Sequence, residues 1–280
     1  MAIQKVSAQL FTLREFEKTE EEFITTMQRL SEMGFEYAQF SGVTAPMKPA
    51  RVKEIMDVAG IKICCTHMPW EHLRDNPEQV AEDNIAMGNT VVGFGSYTEN
   101  KLAVREDVDR YLKQLEQIGA VMKKYGLTLA IHNHWNEFHR FDGKSVLQIT
   151  RENTDPEAIE FIFCCYWALY SGADPVEYIR EFKGRITCCH YKDMTMRDGE
   201  RTFAPVGEGN MNYRAIWDAC EETGVKYALI EQDRCFEDPF VCVAKSKAYM
   251  ESLSKYGGLL CHIRKAVVLT TPQKAKPILL

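Results

Sequence analysis

The chain has 280 residues, 45% of them hydrophobic, and a formal net charge of −6 at pH 7. This length suits one large α/β domain, and the acidic balance argues against a nucleic acid partner, because a phosphate backbone attracts basic surfaces. The N-terminus lacks a charged region followed by an apolar one, and no apolar stretch reaches the roughly 18–20 residues that cross a bilayer. We therefore predict a cytoplasmic protein with no membrane partner.

Segments with strand character alternate with helical segments along the whole chain. The predicted strands are 5–13, 36–42, 62–69, 90–96, 127–134, 159–167, 185–194 and 226–233. The first helical segment, 20–34, repeats apolar residues such as Phe23, Met27 and Leu30 at helical spacing, and Gly34 supplies a stop. Two more helices are predicted at 50–60 and 106–126.

Eight repeats of a strand and a helix predict a parallel sheet that closes into a single α/β domain, a (β/α)8 TIM barrel, over residues 1–256. The competing arrangement is a doubly wound open sheet. Such a sheet usually carries a glycine fingerprint after its first strand, and segment 8–17 has none. The remaining segment, 257–280, is a C-terminal extension of unknown role.

Six of the ten cysteines form adjacent pairs inside predicted strands, namely Cys64–Cys65, Cys164–Cys165 and Cys188–Cys189. Neighbouring residues on a strand point to opposite faces, so each pair should direct one thiol into the barrel and one toward the helices. No CxxC spacing suggests a zinc knuckle or a redox motif. We predict that most of these cysteines are reduced and serve in packing.

Polar side chains concentrate where the predicted strands end. They are His67 after the third strand, His132 and His134 after the fifth, His190 and Lys192 after the seventh, and Glu231 after the eighth. The strand ends of a TIM barrel meet at its C-terminal face, where the active site lies. Histidines from several strands favour a metal or acid–base site over isolated structural residues.

Together these residues carry a resemblance to a known family. The chain resembles the sugar phosphate isomerase/epimerase family of xylose-isomerase-like TIM barrels, which includes inosose dehydratase and the ketose 3-epimerases. The resemblance covers about residues 5–255. It is carried by SAQLFTLRE (7–15), IHNHWNEFHRFDG (131–143), YWALYSGADPVEYI (166–179), CHYKDM (189–194), TFAPVGEG (202–209) and IEQD (230–233).

The resemblance implies one divalent metal, Mn, Co or Zn, held by His132, Cys164, His190 and Glu231. Cys164 stands where relatives have an Asp ligand, and Gln39 stands where many have Glu. A thiolate ligand favours softer metals such as zinc. If Cys164 does not bind, three ligands remain and the site is weaker or empty; the sequence leaves both alternatives open.

The resemblance also implies the chemistry: a base removes a proton next to a metal-chelated carbonyl. Glu231 or His134 would take the proton, and Lys192 would polarise a substrate oxygen. His134 has an alternative role as a partner that orients a ligand. His67, Trp167 and Glu208 are predicted to contact the substrate, although Trp167 also suits rim packing and Glu208 also suits a structural turn.

The function implied is that of a metal-dependent isomerase or epimerase of a small sugar, sugar phosphate or keto-polyol. A dehydratase or lyase acting on a keto-sugar is the alternative, because His132 occupies the place of the second glutamate that epimerases use. An enzyme like endonuclease IV is disfavoured by the acidic charge and the missing carboxylates. The last alternative is a metal-free, non-catalytic barrel. The expected partner is a small carbohydrate, and the extension 257–280 is a candidate contact in a homo-oligomer.

Overall fold

Eight parallel strands close into a barrel in the computed structural model, which describes residues 4–254. We number the strands β1–β8: Lys5–Gln9, Tyr37–Phe40, Lys62–Met68, Val91–Phe94, Thr128–His132, Ile159–Cys164, Ile186–Tyr191 and Tyr227–Ile230. Each strand pairs with the next in the sequence, and β8 closes the ring by pairing with β1. The predicted TIM barrel is confirmed.

Helices surround the barrel and link successive strands. They are α1 Glu20–Glu32, α2 Pro49–Val58, α3 Trp70–Asp75, α4 Pro77–Ala86, α5 Arg105–Lys124, α6 Val146–Glu152, α7 Cys165–Tyr170, α8 Pro175–Glu181, α9 Tyr213–Thr223 and α10 Pro239–Leu253. Short 3-10 helices cover Leu10–Phe16 and Asn136–Phe138. Two hairpins project from the loops: Arg140–Phe141 pairs with Lys144–Ser145, and Asp193–Arg197 pairs with Glu200–Ala204. Within residues 4–254, none of the helices has the length and hydrophobicity to cross a membrane.

Helix α1 shows how the local sequence sets an element. The Thr19 hydroxyl accepts the Glu22 backbone N–H, and the Glu22 carboxylate accepts the Thr19 N–H, so a capping box starts the helix. Phe23 and Leu30 lie on the face that the helix buries. Gly34 adopts a φ of 78°, a conformation that glycine reaches without steric cost, and the chain then turns into β2.

The strands end earlier than predicted, which corrects the strand boundaries at the C-terminal face of the barrel. The first predicted strand, 5–13, stops at Gln9, because the Gln9 side chain accepts the Phe11 N–H and starts a 3-10 helix. The sixth, 159–167, stops at Cys164, and α7 begins at Cys165. The C-terminal side of the barrel is therefore built from turns and short helices that directly follow the strands.

One buried cluster in the interior of the barrel consists of small and aliphatic side chains: Cys64, Cys65, Ala130, Ile162, Cys188 and Leu229. Cys188 belongs to this cluster and Cys189 to the main core, as the alternation predicts. The prediction is wrong for Cys64, which joins Cys65 in the interior. The pairing of β2 with β3 shifts register there, from Ala38↔Ile63 to Gln39↔Cys65.

The cysteines between residues 4 and 254 are free thiols, in agreement with the prediction that most are reduced. The predicted extension 257–280, with Cys261 and His262, lies outside the described residues.

Candidate metal centre

Four potential metal ligands meet at the C-terminal ends of β5 to β8. His132 and Cys164 end their strands, His190 is the penultimate residue of β7, and Glu231 follows β8 directly. One ligand atom from each lies within 4.8 Å of all the others, and all four side chains are buried. Among residues 4–254 this is the one group of three or more His, Cys, Asp and Glu side chains that is suited to a metal ion.

One ring nitrogen of His132 carries no hydrogen. Its Nδ1 lies 2.9 Å from the Gly95 carbonyl oxygen, which only accepts, so Nδ1 carries the hydrogen. Burial and the nearby charges of His190 and His134 keep the pKa of His132 well below its ordinary value, so the ring is neutral. Its Nε2 is buried without a hydrogen-bond partner. A bare, buried imidazole nitrogen fits a metal ligand.

Cys164 is fully buried, and two hydrogen bonds to Asn133 hold its backbone. The Cys164 N–H donates to Asn133 Oδ1 at 2.9 Å, and Asn133 Nδ2 donates to the Cys164 carbonyl at 3.2 Å. Burial raises the pKa of the Cys164 thiol above its ordinary value, and the charge of Lys192 opposes that rise only in part. Cys164 is therefore a neutral thiol in the absence of metal, and must lose a proton to act as a ligand.

Glu231 is the hydrogen-bonding centre of the site. Its Oε2 lies 2.8 Å from both His190 Nδ1 and Lys192 Nζ, and its Oε1 accepts from Gln9 Nε2 at 3.0 Å. Burial works to raise its pKa, but the charges of Lys192 and His190 prevail and hold the pKa of Glu231 well below its ordinary value. The carboxylate is thus ionised, as a metal ligand requires.

Lys192 is fully buried between two carboxylates. Its Nζ lies 2.8 Å from Glu231 Oε2 and 2.8 Å from Asp233 Oδ1. Burial disfavours the ammonium charge, but the facing carboxylates outweigh it and raise the pKa of Lys192 above its ordinary value. The Trp167 ring centroid lies 5.5 Å from Nζ, so the ammonium also faces an aromatic surface.

Two more predicted residues, His67 and His134, pack on the histidine ligands. The His67 ring lies 5.0 Å from that of His132 and 5.5 Å from that of His190. His134 lies 4.7 Å from the His132 ring and 5.1 Å from the Trp167 ring. Burial and the charge of Lys192 lower the pKa of His134 to about 4, so this side chain is a neutral imidazole at physiological pH.

Glu208 is not brought to this cluster. Its exposed carboxylate lies 3.4 Å from Lys245 Nζ on α10 and lines a separate cavity of about 340 Å³ beside the hairpin 193–204. Trp135 is 37% exposed and contacts His139, whereas Trp70 packs in the core against Phe94. Trp167 alone of these three tryptophans lies beside the ligands. The predicted substrate contacts of His67, Trp167 and Glu208 stay predictions.

Sequence reasoning did not identify Gln9 and Ser41 as part of the site. Gln9 ends β1 and donates to Glu231, and its Nε2 also lies 3.4 Å from Ser41 Oγ. The sequence indicates Gln9 and Ser41 only weakly, because single polar residues at the ends of otherwise apolar strands are common. Gln9 becomes informative only when the closed barrel places it opposite β8.

Comparisons with known proteins agree with this architecture. A family model described as xylose isomerase-like TIM barrel matches residues 27–252. An inosose dehydratase from Lacticaseibacillus casei is 22% identical over 275 residues, which cover 85% of this chain and 89% of that protein.

Two solved structures are also similar. A sugar phosphate isomerase/epimerase from Parabacteroides distasonis has a TM-score of 0.73 and 23% identity, and the match covers 92% of this chain and 96% of that one. The structure of a protein called IOLI, described with a bound zinc atom, has a TM-score of 0.70 and 13% identity, with 89% and 98% covered. At these identities the likeness establishes the fold alone.

Proposed function

The chain belongs to the xylose isomerase-like TIM barrel family, and from this premise we propose that it is a divalent-metal-dependent isomerase or epimerase of a small sugar, sugar phosphate or keto-polyol. The observation that carries the proposal is the meeting of His132, Cys164, His190 and Glu231, whose ligand atoms lie within 4.8 Å of one another at the catalytic face. A thiol, two imidazoles and a carboxylate suit zinc, and Mn and Co are the other candidates.

The donor set fits a cation. The bare, unpartnered Nε2 of His132 and the ionised Glu231 carboxylate are in the states that ligands need. A divalent cation in this position supplies Lewis acidity, which lowers the free-energy cost of removing a proton from a carbon beside a carbonyl group.

Two side chains next to the ligands are suited to move protons and to bind substrate oxygens. His134 is a neutral imidazole in contact with His132 and Trp167, and is able to accept a proton from a carbon atom. Lys192 keeps its ammonium charge and is able to donate to a developing oxyanion. Trp167 supplies an apolar wall against which a sugar ring packs and which limits access of water to the charged groups.

A dehydratase acting on a keto-sugar is the second candidate. The L. casei relative is named an inosose dehydratase, and the site has one neutral base, His134, beside an ammonium donor, Lys192. Elimination of water needs one group that removes a proton and one that protonates the departing hydroxyl. His134 and Lys192 meet that need without a second carboxylate base.

The test combines metal analysis with proton exchange. Protein prepared without chelator should contain one divalent ion per chain, and the Glu231→Ala variant should lose it. In D2O, wild type should exchange the C–H proton next to the carbonyl of a substrate from a panel of ketoses, ketose phosphates and inosose, as read by proton NMR. The His134→Asn variant should keep the metal and lose about 10²- to 10⁴-fold in exchange rate.

The products separate the two candidates. An epimer or an isomerised sugar supports the leading proposal, and a dehydrated enone, seen by its ultraviolet absorption, supports the second. A wild-type protein without metal and without exchange on any member of the panel contradicts both, and would indicate a non-catalytic barrel. The Cys220→Ala variant, which removes a buried thiol on α9 that is not among the four candidate ligands, is the matched control and should behave as wild type.

A further inference from the structure

Gln39 is a fully buried amide at the centre of the catalytic face. It lies on β2, where it pairs with Gln9 of β1 on one side and with Cys65 of β3 on the other. Its side chain reaches across the barrel to His190 on β7, 151 residues away in the sequence. An amide in a buried position normally has both of its polar atoms hydrogen-bonded.

Only one polar atom of this amide has a protein partner. Gln39 Oε1 lies 2.7 Å from His190 Nε2, whereas Gln39 Nε2 is buried with no partner. An amide oxygen only accepts, so the contact assigns a hydrogen to His190 Nε2. The other nitrogen of that ring, Nδ1, donates to the ionised Glu231 carboxylate at 2.8 Å, among the candidate ligands.

A metal-bound imidazole needs one bare nitrogen, and a hydrogen-bond acceptor for the other nitrogen sets which one is bare. Gln39 provides that acceptor. In the metal-free protein both ring nitrogens of His190 face acceptors, Gln39 Oε1 and Glu231 Oε2. Because Gln39 keeps the hydrogen on Nε2, Nδ1 is the nitrogen that would exchange its hydrogen for a cation. Gln39 does for His190 what the Gly95 carbonyl does for His132.

The unpartnered half of the amide is a hydrogen-bond donor. A buried N–H group without a partner destabilises the site, and a ligand oxygen that accepts from it would recover that loss. A second unpartnered polar atom lies nearby, since the His67 ring packs on the His190 ring and His67 Nε2 is buried without a partner. The other ring nitrogen, Nδ1, lies 3.3 Å from Ser41 Oγ.

We propose that Gln39 is a positioning residue that keeps a hydrogen on His190 Nε2, so that Nδ1 is the nitrogen that gives up its hydrogen to a cation, and that the amide N–H group of Gln39 binds an acceptor oxygen of the substrate, such as a carbonyl or carboxylate oxygen. The second half of this inference rests on the proposed function; the first half needs only that a cation binds. The two roles use different atoms of one side chain, so two substitutions separate them.

Gln39→Glu keeps an oxygen acceptor for His190 Nε2 and removes the donor. Gln39→Leu removes both. Zinc affinity, measured by competition with a chromogenic chelator, should fall by about 10- to 100-fold in Gln39→Leu and stay within a few-fold of wild type in Gln39→Glu. Gln4→Leu is the matched control. Gln4 is also buried; it precedes β1 and bonds to Trp217 and Tyr191, neither of which is a candidate ligand, so its loss should leave zinc affinity unchanged.

The role of the Gln39 amide as a hydrogen-bond donor is tested with oxalate, a small dianion whose oxygens are all acceptors. Calorimetric titration of the zinc-loaded proteins should show oxalate binding at least about tenfold weaker in both Gln39 variants than in wild type. Equal oxalate affinity in Gln39→Glu and wild type would overturn the donor role. A Gln39→Leu variant that binds zinc as tightly as wild type would overturn the positioning role.

A metal-independent measurement keeps the inference apart from the proposed function. In metal-free protein labelled with ¹⁵N histidine, NMR should show a hydrogen-bonded proton on His190 Nε2 that persists in Gln39→Glu and is lost to rapid exchange in Gln39→Leu. A bare Nε2 in wild type contradicts the inference even if the protein is an active enzyme. Conversely, a wild type that takes up no zinc but shows this proton removes the proposed function and the role of Gln39 toward a cation, and leaves only the hydrogen bond by which Gln39 fixes the His190 proton.

Discussion

At the scale of single residues, Cys164 is the candidate ligand that we expect to have the largest effect on metal preference. Its thiol is neutral in the metal-free protein, because burial raises its pKa. Zinc binding must therefore release a proton, while binding to an aspartate at the same place would not. A thiolate also favours zinc over manganese more strongly than a carboxylate does.

We expect Cys164→Asp to lower the selectivity for Zn²⁺ over Mn²⁺ by about tenfold or more. We also expect it to lower by about one the number of protons released when zinc binds. Calorimetric titrations in two buffers of different ionisation enthalpy measure both quantities. Unchanged selectivity and proton release in the variant would show that Cys164 is not a ligand.

Glu137 is a buried titratable group that bonds to the backbone of His134 and makes the stability of the fold depend on pH. Its carboxyl group is buried, and its Oε2 accepts the backbone N–H of His134 at 2.8 Å. Burial raises the pKa of Glu137 from 4.5 to about 7, although the bond from His134 opposes the rise. Between pH 4.5 and 7 the folded protein therefore holds a proton that the unfolded chain has lost, so this group makes stability fall as pH increases through that range.

Glu137→Gln removes the titrating group and keeps an oxygen that accepts from His134. Relative to wild type, we expect the variant to gain about 3 kcal/mol in free energy of unfolding between pH 4.5 and pH 8. Urea denaturation of both proteins across this range measures the difference. If the difference in free energy of unfolding between the two proteins stays constant across this pH range, Glu137 does not titrate as its burial implies.

At the scale of elements, Asp193 anchors the loop that follows the hairpin at the end of β7. Its carboxylate accepts the backbone N–H groups of Gly207, Gly209 and Met211 at 2.9–3.2 Å. A Cβ atom on Gly209 would come within 2.3 Å of Asp193 Oδ1. Gly209 is therefore required for the backbone to approach this carboxylate, whereas a Cβ atom on Gly207 would collide with the Tyr249 ring.

Asp193→Asn replaces one accepting oxygen by a donor that faces N–H groups. We expect it to cost about 2 kcal/mol in free energy of unfolding and to speed hydrogen exchange at Gly207 and Gly209. Denaturation and NMR exchange measure the two effects. Asp198→Asn at the exposed tip of the same hairpin is the control, because Asn tolerates the positive φ of 53° found there. Equal effects of the two substitutions would contradict the anchoring role.

At the scale of the whole molecule, a cation would join four successive strands of the barrel. His132, Cys164, His190 and Glu231 come from the ends of β5 to β8, so the ion would bind the folded chain and not the unfolded one. At a free concentration one hundred times its dissociation constant, a ligand of this kind adds about 2.7 kcal/mol to the free energy of unfolding.

Thermal unfolding with zinc should therefore occur at a higher temperature than unfolding with chelator, and the difference should vanish in Glu231→Ala. The comparison within each protein separates metal binding from the effect of the substitution on the fold. A wild-type transition that zinc does not move would count against a resident metal.

The sequence by itself determined the barrel, because eight alternations of apolar strand and amphipathic helix are local patterns. The sequence also indicated the candidate ligand residues, since polar side chains at the ends of apolar strands are easily recognised. It could not set the strand ends. Residues 165–167 extend an apolar run, and only the packing around them starts α7 at Cys165.

Only the tertiary structure decided which groups hold the site together. Gln9 reaches Glu231 across 222 residues, and Gln39 reaches His190 across 151, because closure of the barrel makes β1 the neighbour of β8 and places β2 across from β7. Hydrogen bonds of this kind have no local signature, since each depends on where two distant strands meet. They set the proton positions and charges of the site, and hence the chemistry that it supports.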